Sequence, residues 1–105
     1  MTIEYEMVKK QVESQIKRVY DPEIPVNVFD LGLIYKVTID DEFNVKVVMT
    51  LTAPNCPVAD SMPNEIKERI EGIEMVNSVE VEITFDPPWD KSMMSDEAML
   101  ELGML

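Results

Sequence analysis

The chain contains no histidine and only one cysteine among its 105 residues. Without histidine it lacks the Ser-His and Cys-His pairs that activate most hydroxyl and thiol nucleophiles. One thiol is also too few for a self-contained tetrahedral zinc site. A single cysteine forms no intrachain disulfide, which is typical of proteins from a reducing compartment. We therefore expect a free thiol at Cys56 and no conventional histidine-based enzyme.

Basic residues are scarce as well. Nine Lys and Arg stand against 21 Asp and Glu, which gives a formal net charge of -12. The resulting electrostatic field repels phosphate backbones and anionic lipid headgroups. The apolar runs are only a few residues long, and residues 1–6 do not resemble a signal peptide. The sequence thus predicts a cytoplasmic protein that binds neither nucleic acid nor membrane.

The hydrophobic pattern predicts three strands and three helices. Apolar and polar residues alternate over residues 33–39, 45–51 and 79–85, and the third segment has one apolar and one acidic face. Helical spacing places Ile3, Met7, Val8, Val12, Ile16 and Val19 on one face of a first helix and Ile66, Ile70 and Ile73 on one face of a second. Ser95 is the expected cap of a short third helix that ends before Gly103.

These elements predict an α+β fold with the order α-β-β-α-β-α. We expect a two-layer sandwich in which helices cover one face of a small mixed three-stranded sheet, within a single domain of residues 1–105. The pattern leaves open whether the third strand lies beside the first or the second. It also allows the second helix to be capped by either Cys56 or Ser61.

Cys56 lies in the segment Ala53-Pro54-Asn55-Cys56-Pro57, between the second strand and the second helix. A lone cysteine is most often a buried small apolar residue. Pro54 and Pro57, however, remove two backbone donors and fix two φ angles, which favours a stiff loop that presents the thiol. A thiolate there would attack an electrophile or bind a soft metal. One thiolate per chain would have to share that metal with a second subunit, a partner or a carboxylate.

Three carboxylates lie close in sequence before the first strand, at Asp21, Glu23 and Asp30. On composition alone they are turn-forming or helix-stopping residues, and the alternative is a role as oxygen ligands. In the C-terminal segment, Trp89 is interpreted as an anchor that packs this segment onto the core, with an exposed binding role as the alternative.

Three separate motifs resemble one known family. They are DPEIPVNVFDLGLIY at residues 21–35, LTAPNCP at residues 51–57 and DPPWDKSMMSDEAMLELG at residues 86–103. Together they span nearly the whole chain, and they resemble the SufT-like metal-sulfur cluster assembly family, which includes PaaD-like proteins. The resemblance is to the stand-alone, single-domain members.

The resemblance implies a factor that helps to mature iron-sulfur proteins. It places the family's cysteine at Cys56, its threonine at Thr52 and its acidic loop motif at Asp21, Glu23 and Asp30. The implied cargo is iron or an iron-sulfur cluster, held transiently. The implied partners are scaffold and recipient proteins, with a homodimer as one way to complete the ligand set.

Two functions remain open from the sequence. In the first, the chain is an adaptor or transient carrier that ligates iron or a cluster through Cys56. In the second, it is a purely protein-binding module in which the cysteine is structural and touches no metal. A cysteine nucleophile is disfavoured by the absence of histidine, and RNA binding by the acidic charge.

Overall fold

A computed structural model describes residues 3–20, 25–51 and 61–103 of the chain. Its elements follow the expected order, with a short 3-10 helix added before the last α-helix. The elements are α1 (Ile3–Ile16), β1 (Ile34–Ile39), β2 (Asn44–Met49), α2 (Ser61–Glu71), β3 (Ser78–Ile83), a 3-10 helix (Lys91–Met93) and α3 (Asp96–Glu101). The fold is α+β, as the sequence predicts.

The three strands form one mixed sheet in the order β1-β2-β3. β1 and β2 are an antiparallel hairpin, and β3 pairs with β2 in parallel through a crossover that contains α2. In the central register, Val47 of β2 lies opposite Val37 on one side and Val81 on the other. The sheet therefore places the third strand beside the second, which the sequence left open.

One face of the sheet is buried and the opposite face carries charge. The core joins α1, α2 and the sheet, and its fully or nearly fully buried side chains include Val8, Val12, Ile16, Met62, Ile66, Ile70, Val45, Val47, Met49 and Val79. On the opposite face Lys46 forms ion pairs with Glu80 at 3.5 Å and Glu82 at 3.6 Å. This asymmetry confirms the predicted apolar and acidic faces of β3.

α1 ends earlier than its sequence pattern predicts, and it buries fewer of its apolar side chains. The backbone N–H of Val19 donates a hydrogen bond to the carbonyl of Ile16. The carbonyl of Val19 accepts a hydrogen bond from the backbone N–H of Val28 at 2.8 Å. Val19 is therefore buried as part of a loop, and the helix stops at Ile16. Ile3 and Met7, both predicted on the buried face, are 80% and 48% exposed.

α2 is described from Ser61, which already lies within the helix. Pro63 is the third residue of α2 as described. The alternative cap at Cys56 lies outside the described residues.

The helices of the described ranges include none that is long and apolar enough to cross a membrane.

The sheet has two distinct ends. The hairpin end comprises the turn of residues 40–44 with Asn77 and Ser78, where β1 ends and β2 and β3 begin. The motif end comprises Leu33, Thr50, Thr84 and the loops that continue from them, where β1 begins and β2 and β3 end.

Candidate functional site

The motif end brings together chain segments that are far apart in sequence. The backbone N–H of Thr50 donates to the carbonyl of Leu33 at 2.8 Å, and that of Thr84 donates to the carbonyl of Met49 at 2.8 Å. These bonds extend the sheet by one rung beyond its strands. The acidic loop that leads into Leu33, the chain that continues from Leu51 towards Cys56, and the C-terminal segment after Thr84 all meet the sheet here.

The described part of the acidic loop is fixed by reciprocal hydrogen bonds between two side chains and the backbone. Asn27 Nδ2 donates to Asp30 Oδ2 at 2.9 Å, and Asn27 Oδ1 accepts from the backbone N–H of Asp30 at 2.9 Å. The backbone N–H of Leu33 donates to the carbonyl of Val28, which closes the turn. Asp30 thus has a turn-forming role in this loop, as its residue type alone suggests.

The C-terminal segment is tied to this loop by hydrogen bonds across the motif end. Trp89 Nε1 donates to the carbonyl of Leu31 at 2.7 Å, over a sequence separation of 58 residues. The backbone N–H of Ser95 donates to the carbonyl of Asp30 at 2.8 Å. The Tyr35 hydroxyl donates to the carbonyl of Pro87 at 2.8 Å. Trp89 is therefore the predicted anchor, half-buried at the motif end.

At Gly32 the backbone of the acidic loop lies very close to the C-terminal segment. The φ of Gly32, +83°, lies in the left-handed region, and a Cβ at this position would overlap the backbone carbonyl of Met93. A side chain is therefore excluded by both backbone conformation and space. Further along, the Ser95 hydroxyl accepts from the N–H of Ala98 at 3.1 Å, which confirms the predicted cap of α3.

Thr50 was not singled out by the sequence as a site residue. Its side chain is 0% exposed, and its Oγ1 has no hydrogen-bond partner among the described residues. A buried hydroxyl without a partner costs about 1–3 kcal/mol of desolvation. In the alternating pattern of β2, Thr50 belongs with the outward polar residues, so periodicity alone does not predict that it is buried.

Most of the predicted ligands lie outside the described residues, namely Cys56, Thr52, Asp21 and Glu23. Asp30 is described and lies at the motif end. Within residues 3–20, 25–51 and 61–103, no group of three or more acidic, cysteine or histidine side chains is arranged to hold a metal ion. The described residues therefore supply the frame of the candidate site, and the ligands named from the sequence remain predictions.

Comparison with known proteins identifies the chain's relatives. A profile of the family described as iron-sulfur cluster assembly protein matches residues 9–83. The chain is 49% identical over 105 residues to an Fe-S protein maturation auxiliary factor from Porphyromonas gingivalis, covering 100% of both chains. It is 41% identical over 86 residues to the Fe-S protein maturation auxiliary factor SufT of Staphylococcus aureus, covering 82% of this chain and 98% of that one.

Among solved structures, a domain of unknown function from Bacillus anthracis superposes with a TM-score of 0.87. The two sequences are 34% identical, and the match covers 95% of each chain. The mixed sheet and its helices are thus shared with an experimentally determined relative.

Proposed function

The chain belongs to the iron-sulfur cluster assembly protein family, and on this premise we propose that it is a maturation factor for iron-sulfur proteins. We propose that it acts as an adaptor or transient carrier between scaffold and recipient proteins, with Cys56 as the ligand of its cargo. The names of its relatives, which are maturation auxiliary factors, support the general role.

The observation that carries the proposal is that the three motif-bearing segments join the sheet at the same end, next to Leu33, Thr50 and Thr84. The hydrogen bonds from Thr50 to Leu33 and from Thr84 to Met49 fix where those segments leave the sheet. Loops held at one end of a rigid sheet are a common location for binding sites, because the scaffold sets their positions. This arrangement supports a single site built from all three motifs.

The chemistry of Cys56 suits a carrier better than a storage site. A thiolate is a soft ligand of iron and of iron-sulfur clusters. One thiolate leaves the remaining ligand positions to a partner, to a second copy of the chain or to carboxylates, for which we propose Asp21, Glu23 and Asp30. Thr52, the threonine of the same motif, is proposed as a further residue that binds the cargo. An incomplete ligand set favours release of the cargo to a recipient that completes it.

Anaerobic reconstitution with ferrous iron and sulfide tests this proposal. We expect the wild-type protein to develop sulfur-to-iron charge-transfer absorbance and Cys56→Ser to lose most of it. Asp40→Asn is the matched control, since it alters an exposed polar residue at the hairpin end and should keep the absorbance. Equal spectra for wild type and Cys56→Ser, or no absorbance in either, would contradict ligation by Cys56.

A protein-binding module without metal ligation is the second candidate. It is favoured by the contacts of Trp89, Ser95 and Tyr35, which order the motif end through hydrogen bonds among described residues alone. Under this alternative, Cys56→Ala would restore iron-sulfur enzyme activity in cells that lack the chain. The carrier proposal predicts that this variant, shown to fold by circular dichroism, fails to do so.

A further inference from the structure

β3 forms one edge of the sheet, and no described segment pairs with its outer side. The backbone N–H of Thr84 donates to the carbonyl of Met49, so the even-numbered residues of β3 direct their backbone groups towards β2. The backbone N–H and C=O groups of Val79, Val81 and Ile83 therefore point to the outer side. No residue in the described ranges is hydrogen-bonded to these outward groups. We call the outer side of residues 79–83 the β3 edge.

The opposite edge of the sheet, formed by β1, is less suited to pairing with another strand. The register of β1 against β2 shifts between Ile34 and Lys36, and such an irregularity bends an edge strand and interrupts its row of hydrogen-bonding groups. Tyr35, at this irregularity, is tied through its hydroxyl to the carbonyl of Pro87. β3 instead keeps an unbroken register with β2 over Ser78–Ile83, so the outward groups of the β3 edge are regularly spaced.

The apolar side chains of β3 are covered less completely than those of the central strand. Val47 and Met49 of β2 are fully buried, whereas Val81 and Ile83, on the same face of β3, are only partly buried. Phe85, which follows two residues later, is 43% exposed. A strand added beside β3 would pack its own apolar residues against Val81 and Ile83 and bury them. The β3 edge thus offers apolar surface as well as hydrogen-bonding groups.

The opposite face of β3 determines which strand can pair there. The side chains of Glu80 and Glu82 are 69% and 53% exposed, and both contact one cation, Lys46 of β2. An added strand lies about 4.8 Å from β3 and roughly twice as far from β2, so the two carboxylates are the charges nearest to it. A second copy of the chain, paired antiparallel through its own β3, would bring glutamates beside glutamates, which is unfavourable. A strand with basic residues on this face meets opposite charge instead.

We propose that the β3 edge is a docking site for an extended segment of a partner protein, which adds a fourth strand to the sheet. Apolar residues alternate with lysine or arginine in this segment. The apolar residues pack beside Val81 and Ile83, and the basic residues lie beside Glu80 and Glu82. Main-chain hydrogen bonds to the outward groups of β3 hold the segment, and the alternation of its side chains selects it. The net charge of -12 on the chain also attracts a basic segment.

This docking site goes beyond the proposed ligation by Cys56 and is tested separately from it. A titration with peptide needs neither iron nor sulfide. A failed titration would overturn the docking site and leave ligation by Cys56 untouched, whereas a failed reconstitution would do the reverse.

The probe is a short capped peptide in which valine and arginine alternate, titrated into the isotope-labelled full chain and followed by NMR. We expect it to move the amide proton signals of Val79, Val81 and Ile83 downfield, because these groups gain hydrogen bonds, and to leave those of Val37 and Ile39 on β1 in place. The control peptide has the same sequence with every backbone amide N-methylated. It keeps the side chains and the charge but cannot donate to a strand, and it should produce no downfield shift.

Three results of this titration would overturn the docking site. The first is the absence of any shift with the arginine peptide. The second is an equal shift with the N-methylated peptide, which would show attraction by charge without strand pairing. The third is a shift on β1 in place of β3.

A pair of double variants separates the β3 edge from the overall charge. Glu80→Gln with Glu82→Gln removes both carboxylates beside the added strand, and should weaken binding of the arginine peptide roughly three- to tenfold. Glu97→Gln with Glu101→Gln removes the same charge from α3, and should leave the affinity within about twofold. Equal weakening in both double variants would show that only the net charge attracts the peptide, and would overturn the docking site.

Discussion

At the hairpin end, polar side chains find their partners nearby in sequence or directly across the sheet. Asp40 Oδ1 accepts from the backbone N–H groups of Glu42 and Asn44, each at 2.9 Å. Asn44 Oδ1 in turn accepts from Asn77 Nδ2 at 2.8 Å and from the Ser78 hydroxyl at 2.7 Å. Turn chemistry of this kind is satisfied as soon as the strands pair.

At the motif end the contacts join distant segments, and one buried group has no partner in the part of the chain that the structure describes. The hydrogen bonds of Tyr35 and Trp89 span 52 and 58 residues, respectively. Thr50 Oγ1 is buried there and finds no partner within residues 3–20, 25–51 and 61–103. Two ends of the same sheet therefore differ in how completely the chain satisfies its own polar groups. Incomplete satisfaction is what we expect of an end that receives cargo or a partner, since a buried unsatisfied group in a native structure calls for an explanation.

Among the substitutions that test this contrast, Gly32→Ala should have the largest effect on stability. Its left-handed φ costs a non-glycine residue about 1–2 kcal/mol, and overlap with the Met93 carbonyl adds about 1–3 kcal/mol of overpacking. We expect the free energy of unfolding to fall by roughly 2–5 kcal/mol in urea denaturation, because the C-terminal segment must shift away from the loop.

Gly103→Ala is the matched control for this variant. Gly103 has a similar φ of +73°, but, its chain neighbours aside, no atom of the described residues lies within 4 Å of where its Cβ would stand. Its cost should stay near 1 kcal/mol, from backbone conformation alone. Similar losses in both variants would contradict the close packing of the two segments at Gly32.

A smaller effect of opposite sign is expected for Thr50→Val. The substitution replaces an unpartnered buried hydroxyl by a methyl group of similar size, so the free energy of unfolding should rise by about 1 kcal/mol. We also expect lower maturation activity, because a group retained at a cost in stability is commonly functional. Thr38→Val, at an exposed strand position, should change neither quantity. A destabilised Thr50→Val would show that the hydroxyl is satisfied in solution and would weaken the contrast.

The smallest expected effect is the pH dependence of the stability that Asp40 contributes at the hairpin end. Hydrogen bonds from the backbone N–H and then the side chain of Asn44 hold the pKa of Asp40 below its ordinary value of 3.8. A lowered folded-state pKa contributes stability that is present above pH 3.8 and is lost as the pH falls from there through the lowered pKa. NMR titration of the Asp40 carboxyl should report this lowered pKa.

Asp40→Asn provides the stability readout for the same effect. The stability difference between wild type and this variant should narrow as the pH drops below 3.8. A carboxyl that titrates at or above its ordinary pKa would contradict the hydrogen-bond network described for the hairpin end.

The sequence predicted those features that depend on local pattern. The order of elements, the two faces of β3, the Ser95 cap and the Trp89 anchor all follow from periodicity, capping chemistry and residue type. Features that depend on long-range packing were missed. Val19 leaves the helical pattern because Val28 binds its carbonyl, and Thr50 is buried although its strand position is outward.

The most direct test of the account asks which end of the sheet receives iron. The strands are six residues long, so the two ends lie roughly 20 Å apart at about 3.3 Å per residue. NMR spectra of the labelled protein, recorded without oxygen during addition of ferrous iron and sulfide, report proximity through paramagnetic broadening. We expect broadened amide signals for Leu33, Thr50 and Thr84 and sharp signals for Phe43 and Asn77. Broadening centred on the hairpin end, or spread evenly over both ends, would contradict it.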